Sequence, residues 1–219
     1  MPIFCGGKGQ APDWCELHQF DIVTIEAGSD PYDFHRVGNK EKLIIGNGSC
    51  TLQGLGGEEV IETGANIDLP MGPNDAHFRI ASVIENVTAI RMAGDWGEEV
   101  GGSGLFSVLA LDEQQDVDRV DRGDAVDYEK KTNFDCHFHD CDEYWILFEG
   151  VGVVYSEGVR YEVSSGDCVA TGMGHHHDFP LVHESVRAVY FETTMERDKR
   201  RGHLWDHTHG KAEPHLGRI

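Results

Sequence analysis

The sequence contains a repeat of itself, and the repeat limits the folds open to it. Shifted by 102 positions, His35 falls on His137, Glu41 on Glu143, Gly48 on Gly150, Gly64 on Gly166, Met71 on Met173 and Gly72 on Gly174, with no gap between 35 and 72. Chance can align the glycines, but it does not readily align all six landmarks in one frame. Such self-similarity is the mark of one structural plan used twice. A chain of 219 residues accommodates two units of roughly 100 residues each.

Both halves are built from short runs of β-branched and aromatic residues between glycine or asparagine turns. FDIVTIEA (20–27), EKLIIGNG (41–48) and VTAIRMA (87–93) are examples in the first half; EYWILFEG (143–150) and VRAVYFETT (186–194) are examples in the second. These patterns predict strands. The 27 glycines suit many tight turns, and no long segment has a helical period. The expected class is all-β, an antiparallel sandwich or barrel in each half. The glycine-rich GEEVGGSG (97–104) reads as a linker. The expected domains are 1–98, 99–195 and a charged, histidine-bearing tail at 196–219.

The net charge of −21 argues against nucleic acid and anionic membranes as partners, because phosphate binding needs a cationic surface. None of the six cysteines forms a CxxC pair, and the chain does not have the pattern of a small disulfide scaffold. No signal peptide is read at the start, and no apolar run reaches about 18 residues. The expected location is cytoplasmic, with reduced thiols.

The stretch CHFHDCDEYWILFEG (136–150) carries the chemistry. On an extended strand, residues two apart share a face, so His137 and His139 point together and Glu143 can join them after a turn. The later run GDCVATGMGHHH (166–177) offers His175, His176 and His177, any one of which completes a four-ligand set. Neutral imidazoles with one carboxylate suit a divalent transition ion such as Mn, Fe, Co, Ni, Cu or Zn. Four such ligands leave coordination positions open, as catalytic sites do. Cys136 has the opposite parity and is not read as a ligand. GxSxG, P-loop and dinucleotide fingerprints are absent.

These residues resemble the cupin superfamily. His137-x-His139-x3-Glu143-x6-Gly150 is similar to its first motif, and Gly166-x5-Gly172-x-Gly174-x2-His177 to its second, with Gly172 where the family usually has proline. The resemblance implies two tandem double-stranded β-helix (jelly-roll) barrels, a bicupin, with His137, His139, Glu143 and His177 as ligands of one metal ion in the C-terminal barrel. The spacing from Gly174 selects His177, leaving His175 and His176 as supporting or turn residues. The N-terminal copy is degraded: Val37 replaces the second histidine and Asp75 the last. His35, Glu41 and His77 remain as a candidate weak second metal site; the alternative is a purely structural barrel.

Counting parity along the strands, Trp145 lines the substrate pocket or packs in the core, and His183 faces inward as a satisfied core histidine or as a proton donor or acceptor. His183 and Glu192 are the candidate catalytic bases. The tail histidines His203, His207, His209 and His215 read as solvated, with a second metal site or a cover over the barrel mouth as alternatives; Trp205 suggests docking. The expected function is a metal-dependent isomerase or epimerase, chelating a sugar or hydroxy-keto acid by Lewis-acid action. The alternatives are an Fe or Mn dioxygenase or decarboxylase, and a non-catalytic sugar-binding bicupin. A small-molecule partner, with carbohydrate as one candidate class, and a homodimer are the interactions expected.

Overall fold

The computed structural model describes residues 3–5, 11–54, 56–69, 78–110, 113 and 120–219. Asp75 and the candidate ligand His77 lie outside these residues. The chain folds as two units: one is built on Glu16–Trp96, and the other combines Gly97–Ile219 with Pro12–Cys15 and the first strand.

In the N-terminal unit, β2 (Leu17–Ile25), β3 (Tyr32–Phe34), β4 (Lys40–Gly54), β5 (Gly57–Glu62), β6 (Asn66–Leu69) and β7 (Phe78–Gly94) form one antiparallel sheet. Its order is β2-β7-β4-β5, with β3 also on β7 and β6 also on β4. The C-terminal unit uses β1 (Ile3–Cys5), β8 (Val100–Val108), β9 (Glu143–Ser156), β10 (Val159–Ser164), β11 (Asp167–Thr171) and β12 (His177–Thr194). Its order is β1-β11-β9-β12-β8, with β10 also on β9.

The repeat holds at the level of register. Leu43 faces Arg91 and Ile44 faces Ile90 across β4 and β7. The positions 102 residues on, Trp145 and Ile146, face Tyr190 and Val189 across β9 and β12. Each unit has its own core. Leu43, Ile45, Ile80, Val87 and Ala89 centre the first; Trp145, Leu147, Val154, Phe179 and Ala188 centre the second. Full burial of each aliphatic chain contributes about 1.5–3 kcal/mol.

Gly48 and Gly150 explain one pair of landmarks. Both have positive φ, +83° and +89°. A Cβ on either would lie 2.0 Å from the Asn86 carbonyl oxygen or 2.3 Å from that of Ser185. Only glycine satisfies both demands.

Three expectations about organisation are corrected. The glycine run at 97–104 is not a linker. From Val100 it is strand β8, hydrogen-bonded to β12 with Gly102 opposite Glu192 and Gly104 opposite Tyr190. A Cβ on Gly101 would collide with the Glu192 side chain at 2.4 Å, so the bare strand makes room for that carboxylate. The first strand does not join the N-terminal sheet: Ile3–Cys5 pairs antiparallel with β11. The residues after 196 belong to the C-terminal unit. Leu204 is buried and exchanges two backbone hydrogen bonds with Phe138, each 3.0 Å. One short helix, α1 (Asp206–His209), follows.

Candidate metal centre

A pair of backbone hydrogen bonds brings the first and last candidate ligands together. His137 N–H donates to the His177 carbonyl at 3.2 Å, and His177 N–H donates to the His137 carbonyl at 2.9 Å. His139 follows two residues on, and Glu143 opens β9. One ring nitrogen from each of His137, His139 and His177 and one oxygen of Glu143 lie within 4.8 Å of one another. All four residues are buried.

Backbone carbonyls set the ring orientations. His137 Nδ1 donates to the Asp135 carbonyl at 2.7 Å, and His177 Nδ1 to the His175 carbonyl at 2.9 Å. Those bonds leave Nε2 of each ring for the centre, the arrangement that carbonyl or carboxylate partners impose on metal-binding histidines. His177 Nε2 lies 2.8 Å from Glu143 Oε2, so both of its nitrogens face oxygen acceptors. That geometry calls for a cation at Nε2. His137 Nε2 is buried with no hydrogen-bond partner, and His139 Nε2 is buried 3.4 Å from Glu143 Oε2, too far for a good hydrogen bond. Under-satisfied buried polar atoms are costly, and ring nitrogens converging in this way on one carboxylate suit a metal ion.

The electrostatics agree. Burial, followed by the neighbouring imidazoles of His177, His139 and His203, pushes His137 well below the usual histidine pKa. A ring that resists protonation keeps its lone pair for a metal. Burial works against charge on Glu143, but His139 and His177 outweigh it and hold the carboxyl well below its usual range. Burial also opposes charge on His139, and there Glu143 prevails and holds the pKa up.

No family model matches the sequence. The chain is 42% identical to the uncharacterized protein y4oW of Sinorhizobium fredii over 224 residues, spanning 100% of this chain and 97% of that one. Among solved structures, a mutant of oxalate decarboxylase OxdC from Bacillus subtilis has a similar fold. Its TM-score is 0.56 at 10% identity, over 85% of this chain and 71% of that one. YhaK from Escherichia coli is similar at a TM-score of 0.51 and 12% identity, over 89% and 93% of the two chains. The fold is that of the cupin jelly rolls. The chain belongs to one family with y4oW.

The cupin motif residues His137, His139, Glu143 and His177 are therefore together, as their spacing predicts. Trp145 is buried and meets the His177 ring edge-on at 5.1 Å between centroids. It also packs on Phe106 and Phe134, so it serves as both site wall and core. Glu192 is buried directly opposite Glu143 across the strand pair, and its Oε1 lies 3.8 Å from His139 Nδ1. Burial raises its pKa, and the nearby Glu143 charge adds to that.

His183 is not brought to the centre. It is exposed and lies 3.5 Å from Glu162. The parity count from His177 fails because a register shift interrupts β12 between Asp178 and Leu181. Such a shift moves the following side chains to the other face.

His35 and Glu41 do not form a second centre. Both oxygens of Glu41 are occupied. Oε1 accepts the Val37 and Gly38 amides at 2.6 and 3.0 Å, and Oε2 accepts Arg91 Nη2 at 2.6 Å. Arg91 also donates to the carbonyl of His35, whose side chain is on the exposed side of the unit. A guanidinium stands in for the metal ion.

The reading of the tail histidines as solvated is corrected at His203, which borders the centre. The His203 ring stacks on His137 with centroids 3.7 Å apart and planes 7° apart. Asp135 serves both rings, its carbonyl holding His137 and its carboxylate lying 3.4 Å from His203 Nδ1. A cavity of about 110 Å³ borders His203, Asp135, Phe134 and Ser107. Leu204 and Trp205, apolar residues in a charged tail, were the available signal that this segment docks.

Proposed function

We propose that this protein is a metal-dependent cupin enzyme, a bicupin with one working centre, in which the C-terminal unit carries the chemistry and the N-terminal unit is structural. The observation that carries this reading is the buried convergence of one donor atom each from His137, His139, Glu143 and His177 within 4.8 Å, with His137 Nε2 left without a hydrogen-bond partner. A divalent transition ion held by these four residues would act as a Lewis acid toward the oxygens of a small substrate.

The reaction we favour is isomerisation or epimerisation of a hydroxy-keto acid or small sugar. It needs an acid–base group beside the ligands, and Glu192 is a buried carboxyl opposite Glu143 that is not in the four-donor set. Glu192 would take and return the proton, His203 and Trp145 would exclude water, and the carbonyl-bonded histidines would hold their orientation without rearrangement.

The test is anaerobic incubation of metal-loaded protein with hydroxy-keto acids and aldoses in D2O. Deuterium entering at the carbon beside the carbonyl, in the wild type and not in Glu192→Gln, is the expected result. Turnover that requires dioxygen or releases carbon dioxide would replace this reading with dioxygenase or decarboxylase chemistry. A protein that holds no ion after loading would be a non-catalytic binding bicupin.

A further inference from the structure

A second cluster of ligating side chains lies apart from the four-donor centre. Asp124 precedes β9, His176 lies in the turn before β12, and Asp206 belongs to the C-terminal segment. One ligand atom from each lies within 4.8 Å of the others. His176 Nε2 is 3.3 Å from Asp124 Oδ2 and 3.4 Å from Asp206 Oδ1. The contact to Asp124 is a long hydrogen bond, and both separations exceed the roughly 2.7–2.9 Å of good charge-assisted hydrogen bonds. They match the edge of a tetrahedron, about 3.3 Å, around an ion with bonds of about 2.0 Å to nitrogen and oxygen.

The carboxylates are held ready by groups around them. Asp124 accepts the backbone N–H groups of Asp206 and His207 at 2.8 and 3.2 Å, and His207 Nδ1 lies 2.7 Å from its Oδ1. Asp206 Oδ1 accepts the Ala212 N–H at 2.7 Å. Among the described residues neither carboxylate is paired with lysine or arginine; their charged partners are histidines. In a chain of net charge −21, such a pair of carboxylates is a place where a cation lowers the electrostatic energy.

We propose that Asp124, His176 and Asp206 form a second, peripheral site for a divalent ion that accepts mixed nitrogen and oxygen ligands, zinc being the representative case. His207 orients Asp124, and water completes the coordination. The ion clasps the C-terminal segment to the body of its unit. That segment also carries His203, which stacks on His137, so the clasp holds one wall of the four-donor centre in place. The site uses none of that centre's ligands and does not depend on the proposed reaction.

The test is zinc content of the full chain after equilibrium dialysis, in the wild type, His137→Ala/His139→Ala, Asp206→Asn, and the three changes combined. The expected ratios are two, one, one and none. If the four-donor centre fails but the clasp holds, the wild type and His137→Ala/His139→Ala each bind one zinc and Asp206→Asn binds none. If Asp206→Asn binds as much zinc as the wild type, the clasp is overturned. Hydrogen exchange of residues 203–212 gives a readout that needs no change at the ligands of the four-donor centre. Zinc should slow it in the wild type and leave it unchanged in Asp206→Asn; equal slowing in both would also overturn the proposal.

Discussion

Arg91 in the N-terminal unit occupies the register position that Tyr190 holds in the C-terminal unit, opposite Leu43 where Tyr190 is opposite Trp145. From there its guanidinium reaches Glu41, the counterpart of the candidate ligand Glu143. The ion pair is almost fully buried, with side chains 7% and 0% exposed, and the guanidinium also lies over Phe34 and Phe78 at 5.6 and 5.7 Å. One plan thus neutralises the same buried glutamate in two ways, by an arginine in one unit and by histidines poised for a metal in the other.

Removing Arg91 leaves a buried carboxylate with no cation. Arg91→Met should destabilise the N-terminal unit by about 3–5 kcal/mol, whereas Glu41→Met combined with Arg91→Met should cost far less, because no charge is then stranded. Urea unfolding of the single and double variants checks this. Metal content should be the same in all of them.

Ligand binding only to the folded state stabilises it. At a free-ion concentration about 100-fold above the dissociation constant, the gain is about 2.7 kcal/mol. Thermal unfolding of the wild type with and without added Zn(II), Mn(II) or Co(II) should show that gain. His137→Ala should lose the part that the four-donor centre contributes, and so should Glu143→Gln. His183→Ala, on the exposed side of β12, should match the wild type.

The thiols give the pH dependence. Burial, the largest influence, raises Cys15 and Cys136 to about 12, and burial also raises Cys50 and Cys168. An unfolded thiol loses its proton near pH ~8.5, while these folded ones keep theirs. Above that pH the unfolded state binds fewer protons, so stability falls as pH rises from about 8.5 toward 12. Cys5 is exposed. Iodoacetamide at pH 8 should therefore modify one cysteine per native chain and six after unfolding, as counted by intact mass.

Much of this molecule was legible from residue spacing. The 102-residue frame anticipated two sheets of matching register, and strand parity with the motif spacing picked four candidate ligands that the structure brings together. The parts that were not legible share a physical cause. His183 was misplaced because a bulge has no sequence signature strong enough to reset a parity count. The glycine run was misread because bare strands and linkers have the same composition; only the partner, Glu192, shows why the side chains are missing. The departure at Gly172 has a similar origin. A Cβ there would lie 2.2 Å from the Arg218 carbonyl, a contact some 46 residues distant in sequence. Arg91 was missed because a substitute for a metal looks like any strand arginine until Glu41 is opposite it.

The C-terminal segment is fastened to the same short stretch that carries the ligands, and this sets the last prediction. Asp140, between His139 and Cys141, is buried, and Arg200 embraces it. Nη2 reaches Oδ1 at 2.8 Å, while Nε and the backbone N–H reach Oδ2 at 2.9 and 3.0 Å. Arg218 reaches Asp142 at 2.9 Å one turn further on. Arg200→Ala should release this anchor, strand the Asp140 carboxylate and let the His139 backbone relax. Neighbours that orient metal ligands typically change affinity by about 10–100-fold, and a loss in that range is expected for the four-donor centre. Arg200→Lys should recover little of it, because a single ammonium cannot reproduce the two-pronged contact. Competitive titration of Co(II) against a chelator, in both variants and in Asp140→Asn/Arg200→Gln, measures the loss. The double variant separates the two causes. Affinity near the wild-type value there would assign the loss to the stranded charge; affinity as low as in Arg200→Ala would assign it to the missing anchor.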